Sequence, residues 1–325
     1  MPGTQERPTA VVAIGGNALA PAGEPGTIHD QFRHARESLA PIVALAGAGW
    51  NVAVVHGNGP QVGNALLRNE RSAAEVPELP LGVLVAATAG WIGYMIQQSL
   101  QNALGGGEAE REVVTMITQV VVDAGAPGSL EPRKFIGRAL SPQTAEHLRA
   151  RGVEVAEDDR GRLRRRIPSP PPLRIVESGA IAERVGAGDI VIAAGGGGSP
   201  VLRGPDGALE GIDVVIDKDL AASLLASEIR AAILLILTDV DGVYRDFGTP
   251  QARRIDRLSV AEARAMVESD QLGSGSMRPK LKAAADFVAR GGERAIIAAL
   301  SDAPQAIAGE AGTVVVPERL EGENG

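Results

Sequence analysis

The sequence predicts an α/β protein built on a parallel sheet that is covered by helices on both faces. Two observations carry this prediction. Short, continuous apolar runs alternate with longer stretches of helical apolar spacing, the pattern of strands buried on both faces. Three of these runs end in glycine clusters, at Gly15-Gly16-Asn17, Gly57-Asn58-Gly59-Pro60 and Gly195 to Gly198. In an open parallel sheet, ligands sit beyond the carboxyl ends of the strands, where glycines let backbone amides approach an anion. A single cluster is most simply a tight turn; three at equivalent places predict a shared ligand site.

In chain order, residues 11–14 form the first expected strand, closed by the first glycine cluster. Residues 28–49 predict one helix, with apolar positions at Leu39, Ile42, Val43 and Leu45 and a stop at glycine. Residues 51–55 are a second compact strand. Residues 113–122 are rich in β-branched side chains and predict a third. Residues 190–194, 231–237 and 295–299 follow as strands, the last of them a last parallel-type strand.

Residues 81–96 (LGVLVAATAGWIGYMI) lie in a stretch without charge between Glu78 and Glu108. A membrane span needs about 20 apolar residues. This run is shorter, contains Thr88 and three glycines, and leads into Gln97, Gln98 and Ser99. A buried helix at a subunit contact is expected, with no membrane partner.

Residues 123–172 break the alternation with proline, glycine and charge, around one amphipathic segment at 141–151. They predict an insertion that protrudes from the sheet. Its arginines, Arg162, Arg164, Arg165 and Arg166, have no interleaved aromatic residue on which a base would stack. A solvated hairpin face is expected there, with no nucleic-acid partner.

Composition narrows the function further. With 44% hydrophobic and 22% charged residues, the 325-residue chain is ordinary globular material, and its net charge of −8 opposes a nucleic-acid coat. The absence of cysteine excludes disulfides, thiolate metal sites and cysteine nucleophiles. The start of the chain has no signal-peptide pattern, so a cytoplasmic location is expected. Only four of the 32 basic residues are lysines: Lys134, Lys218, Lys280 and Lys282. Where nearly every positive charge is arginine, each lysine is a candidate for chemistry that a planar guanidinium cannot perform.

Two of these lysines begin helices. Asp217-Lys218-Asp219 precedes an alanine- and leucine-rich helix. Aspartates suit a helix start, but a lysine there is unfavourable and points to a more negative group sharing the site. Residues 273–280 (GSGSMRPK) combine glycines, hydroxyls, a first-turn proline and Lys280, which suits an anion. Residues 238–244 (TDVDGVY) follow a buried strand and suit a nucleotide. The phosphate-loop pattern is absent, and no GxGxxG follows the first strand.

AIGGNAL, HGNGPQVG, AAGGGGSPV, VIDKDLAASLLA, LTDVDGVY and GSGSMRPK, in this order, resemble the motifs of carbamate kinases in the amino-acid kinase superfamily. The resemblance runs over residues 10–315. HGNGPQVG and the VIDKDLA block are specific to the carbamate kinase branch, whereas the GG loop is common to the superfamily. The resemblance implies a three-layer α/β/α sandwich with a mostly parallel central sheet. It also implies a single domain over 1–325, with 123–172 as its protruding subdomain, and a homodimer. The implied activity is reversible Mg2+-dependent phosphoryl transfer between carbamoyl phosphate and ADP, giving carbamate and ATP.

Residue roles follow from the same resemblance. Gly15, Gly16, Asn17, Gly57, Asn58 and Gly59 would hold the phosphoryl group and the carbamate. Lys218 and Lys280 would bind the phosphoryl oxygens from two sides, with Asp219 orienting both. Lys134 would reach over from the subdomain. Thr238, Asp239, Asp241, Tyr244, Met277 and Pro279 would line the nucleotide, and no metal ligand is assigned. Other superfamily branches carry a lysine just before the first GG loop, where this chain has Ala13 and Ile14. In carbamate kinases the lysine of DKD supplies that charge, which disfavours acetylglutamate kinase or aspartokinase activity.

Two positions depart from the pattern. Arg278 replaces the glycine of the usual GSMGPK, which predicts either strain at a positive φ or an added contact, to phosphate or to fill space. Ala89 stands where the family commonly has glutamine. Two alternatives therefore stay open: a kinase acting on another small carboxylate or phosphonate, and a non-catalytic nucleotide-binding protein. The presence of all three expected lysines and Asp219 disfavours the second.

Overall fold

The apolar runs become strands of one eight-stranded sheet. The computed structural model describes residues 7–318 except 22, 25, 106–110, 159 and 273–275, and leaves out the side chains of Asn17 and Asp270. The strands are β1 (Thr9–Ile14), β2 (Asn51–His56), β3 (Val113–Thr115), β4 (Ile190–Ile192), β5 (Ile233–Thr238), β6 (Arg257–Ser259), β7 (Arg294–Ala299) and β8 (Thr313–Val316). Their spatial order is β6-β8-β7-β5-β1-β2-β4-β3. Every pairing is parallel except that of β7 with β8.

Alternate residues of each central strand enter two cores. Val11, Ala13, Leu234 and Ile236 face one layer of helices; Ala10, Val12, Ile14, Leu235 and Leu237 face the other. Burying a large aliphatic side chain contributes about 1.5–3 kcal/mol, so a strand between two helical layers gains from both faces and is apolar without alternation. The helices around the site are α1 (Ile28–Ser38), α2 (Ala40–Gly47), α3 (Gly59–Ser72), α4 (Leu81–Ala103), α5 (Lys218–Glu228), α6 (Val260–Glu268) and α7 (Met277–Ala289). α5, α6 and α7 cover the first core; α1, α2 and α4 cover the second. The fold is the expected three-layer α/β/α sandwich.

Four elements differ from the sequence reading. The helix expected over 28–49 is two helices, with Thr27 capping α1 and Leu39 ending it. Pro41 occupies the first turn of α2, where its ring excludes the carbonyl of a continuing helix. Residues 113–122 are likewise two strands. β3 joins the main sheet, whereas Gln119–Val122 pairs with Ser199–Arg203 and Pro172–Ile175 in a separate four-stranded sheet. β-branching reports strand preference but not a change of sheet. β7 is not the last parallel-type strand: β8 follows it, antiparallel to β7 but parallel to β6.

The fourth difference lies in the insertion. Pro132–Ile136, Leu163–Pro168 and Val155–Glu157 form a three-stranded antiparallel sheet beside the helix Pro142–Ala150, around Ala145, Leu148 and Val155. Its arginines do not form a freely solvated face. Arg165 pairs with Glu70 of α3, and Arg164 donates to the Gly137 carbonyl at 2.8 Å. The guanidinium groups of Arg164 and Arg166 lie 5.8 and 5.7 Å from the centre of the Phe135 ring. The hairpin docks against α3, which leaves these arginines half-buried at the contact.

α4 is 23 residues long and buries Ile92, Met95, Ile96 and Leu100 in the second core. No helix among the described residues is long and apolar enough to cross a membrane.

Candidate active site

The site begins at the start of α5. Asp217 is its N-cap, and its Oδ1 accepts from the amides of Asp219 at 2.9 Å and Leu220 at 3.4 Å. This cap fixes the first turn, which carries Lys218 and Asp219. Lys218 Nζ lies 2.5 Å from Asp219 Oδ1. Lys280, one turn into α7, places its Nζ 3.2 Å from Asp219 Oδ2. α5 and α7 pack side by side, so one buried carboxylate bridges ammonium groups from two helices. Lys134 arrives from the inserted hairpin and donates to Asp217 Oδ2 at 2.6 Å.

Three ammonium groups therefore converge on two carboxylates. Burial lowers the pKa of Lys218, and Lys280 lowers it further, against the opposing pull of Asp219. Burial would raise the Asp217 carboxyl, but Lys134, Lys218 and Lys280 outweigh it and hold that carboxyl below the usual range. A largely buried cluster with one more positive than negative group is suited to receive an anion.

The first two glycine loops meet under Lys218. The Gly57 amide donates to the Ile14 carbonyl at 3.0 Å, tying the loops after β1 and β2 together. A Cβ on Gly57 would lie 2.7 Å from the Gly16 nitrogen and 3.2 Å from Lys218 Cδ, so only glycine allows this approach. Space is open around Gly59. Asn58 stands at the N-cap of α3 but does not cap it; its Nδ2 donates instead to Thr88 Oγ1 at 3.0 Å.

The third glycine cluster has a different task. Gly195 to Gly198 are buried, and a Cβ on Gly196 (φ +70°) would lie 2.2 Å from Asn58 Nδ2. This loop braces Asn58 from behind. Glycine is required there by packing and by a left-handed backbone.

Four of the expected nucleotide residues lie one strand along, at and beyond the end of β5, in two side-chain pairs. Thr238 Oγ1 donates to Asp239 Oδ1 at 3.0 Å, and the Tyr244 hydroxyl donates to the Asp241 carboxylate at 3.0 Å. The strand Val243–Arg245 approaches the turn Asp270–Leu272, which leads towards α7. Met277 begins α7 and packs on the first core, and Pro279 occupies the first turn. Residues 273–275 and the Asn17 side chain lie outside the described residues.

Arg278 is helical and is not among the described residues with positive φ. Its guanidinium donates to the Val267 and Ser269 carbonyls at the end of α6, so it is neither strained nor aimed at phosphate. Ala89 is buried against Gly195. Lys282, the fourth lysine, is half-exposed and pairs with Asp286 at 2.7 Å.

Three residues near the site escaped the sequence reading. Asp217 looked like a cap alone, because its second partner is 83 residues away. Thr88 supports Asn58 across 30 residues. His56 is fully buried at the end of β2, and burial pushes its pKa down to about 4. No local pattern marks such pairings.

The chain matches the model of the amino acid kinase family over residues 8–299. A carbamate kinase from Pyrococcus furiosus is 43% identical over 310 residues, which span 94% of this chain and 98% of the relative. The carbamate kinase of Escherichia coli strain K12 is 43% identical over 307 residues, spanning 94% and 99%. A solved carbamate kinase from Giardia lamblia bound to AMP-PNP superposes with a TM-score of 0.87 at 36% identity, covering 96% of this chain and 99% of that one. The likeness extends over nearly the whole of each partner, and the chain belongs to the carbamate kinases of the amino acid kinase family.

Proposed function

We propose that this protein catalyses reversible phosphoryl transfer between carbamoyl phosphate and ADP, giving carbamate and ATP. The observation that carries this reading is the bridge of Lys218 and Lys280 by Asp219, beside two glycine loops. Phosphoryl transfer spreads negative charge over three equatorial oxygens and needs placed positive charge more than covalent chemistry. Each ammonium group has three N–H donors, and its bond to Asp219 leaves others for those oxygens. Holding both lysines on one carboxylate fixes them before substrate arrives, so little reorganisation is needed in the transition state.

The backbone of Gly15, Gly16, Gly57 and Gly59, with the Asn58 side chain, would hold the phosphoryl group and the carbamate. Lys134 would cover them from 123–172, a subdomain inserted in a single domain over 1–325. Thr238, Asp239, Asp241, Tyr244, Met277 and Pro279 would line the nucleotide. Among the described residues no three His, Asp or Glu side chains converge on a metal position, and the carboxylates at the cluster are taken by lysines. These residues fit an Mg2+ ion held mainly by nucleotide phosphates, where it would neutralise charge. A homodimer formed through α4 completes the proposal.

The test is ATP formation from carbamoyl phosphate and ADP by the purified protein. Turnover is expected from the wild type, with losses of about 100-fold or more in Lys218→Ala and Lys280→Ala. A wild type that makes no ATP overturns the reading. An acceptor screen at fixed ATP then separates carbamate from other small carboxylates and phosphonates.

A further inference from the structure

We propose that Asp217 is the positioning residue for Lys134, holding the hairpin's ammonium group at the mouth of the site just as Asp219 holds the other two. This inference rests on the reading of the site as a phosphoryl-transfer centre. Three observations carry it.

First, the two oxygens of Asp217 do separate work. Oδ1 caps α5, while Oδ2 takes Lys134 Nζ at 2.6 Å. Second, the hairpin does not need this ion pair in order to dock. The Gly137 amide donates to the Gly59 carbonyl at 3.3 Å, Arg165 pairs with Glu70, and Arg151 pairs with Glu78 at 3.0 Å. A Cβ on Gly63 would lie 2.0 Å from Gly137 Cα, so the backbones meet without room for a side chain. What Asp217 adds to an already docked hairpin is the direction of one long side chain, which otherwise has many rotamers to choose among.

Third, the bond leaves Lys134 able to work. Its ammonium group has three donors, and Asp217 occupies one. The remaining two can meet an arriving phosphoryl group while the first stays in place. The contact is a brace and does not have to break for binding. Two carboxylates, Asp219 buried and Asp217 half-buried, thus set the positions of three ammonium groups drawn from α5, α7 and the hairpin.

Asp217→Asn separates the two roles of the side chain. Asparagine caps a helix as well as aspartate does, so α5 keeps its start while Lys134 loses its ionic partner. Acylation of the chain with sulfo-N-hydroxysuccinimidyl acetate, followed by peptide mass spectrometry, reads each of the four lysines separately. Labelling of Lys134 is expected to rise several-fold in Asp217→Asn while Lys282, the solvent-side reference, keeps its rate. Unchanged labelling of Lys134 overturns the proposal.

Kinetics supply the second reading. In Asp217→Asn, kcat is expected to fall about 10-fold. In a Lys134→Ala background the same change should alter kcat less than about 2-fold, because its route of action is gone. An equal loss in both backgrounds overturns the proposal as well. The labelling needs no turnover, so a wild type that makes no ATP would sink the carbamate kinase reading while leaving the brace to be decided by labelling.

Discussion

At the scale of single residues, the lysine shortage acquires a structural meaning. Three of the four lysines meet two carboxylates, and the fourth pairs with Asp286 in solvent. A guanidinium is planar and cannot rotate three donors about a point as an ammonium group does. Lys134→Arg, Lys218→Arg and Lys280→Arg should therefore each lower kcat, while Lys282→Arg should match the wild type in the same assay. Buried His56 ties stability to pH. Its pKa of about 4, below the ordinary 6.5, means that the unfolded chain takes up the proton first as pH falls. Stability is then complete above about pH 6.5 and is lost towards pH 4, by on the order of 3 kcal/mol. An NMR titration should show the imidazole uncharged above pH 5; protonation near 6.5 would contradict this account.

Elements place these residues, and glycine and arginine set how the elements meet. Gly196 has a left-handed backbone and no room for a side chain beside Asn58. Gly196→Ala should cost about 1–2 kcal/mol from backbone conformation alone, with more from displacing Asn58. A lowered denaturation midpoint together with weakened substrate binding is the expected result. At the junction of α6 and α7, Arg278 ties the two helices through the carbonyls of Val267 and Ser269. Arg278→Gly should destabilise the fold by about 1–2 kcal/mol in denaturant unfolding. Arg278→Lys should recover only part of that, because one ammonium group cannot fork to two carbonyls in the same way.

For the whole molecule, α4 presents an exposed apolar stripe. Val83 and Tyr94 are 47% and 57% exposed, three helical turns apart on one face, and Ile117 extends the same stripe beside Gly90. A homodimer across this stripe should sediment at twice the chain mass. Val83→Glu combined with Ile117→Glu should yield a folded monomer; an unshifted sedimentation coefficient would exclude this face. The central strands, the glycine loops and the Asp217-Lys218-Asp219 helix start were legible in the sequence. Each is set by neighbours in the chain: continuous apolarity for a strand covered twice, glycine for close backbone approach, aspartate for a cap. The break at Leu39, the parting of 113–122 between two sheets and the antiparallel β8 were less legible, because apolarity does not encode which strand lies alongside. The α/β class, and lysines standing out as candidates for a charged site, can be read from the chain without its fold. The bridge of two helices by Asp219, the pairing of Asp217 with Lys134 and the bracing of Asn58 by the third glycine loop arise only on folding. These contacts join residues tens of positions apart, and only packing of the helices and hairpin against the sheet brings their charges within reach.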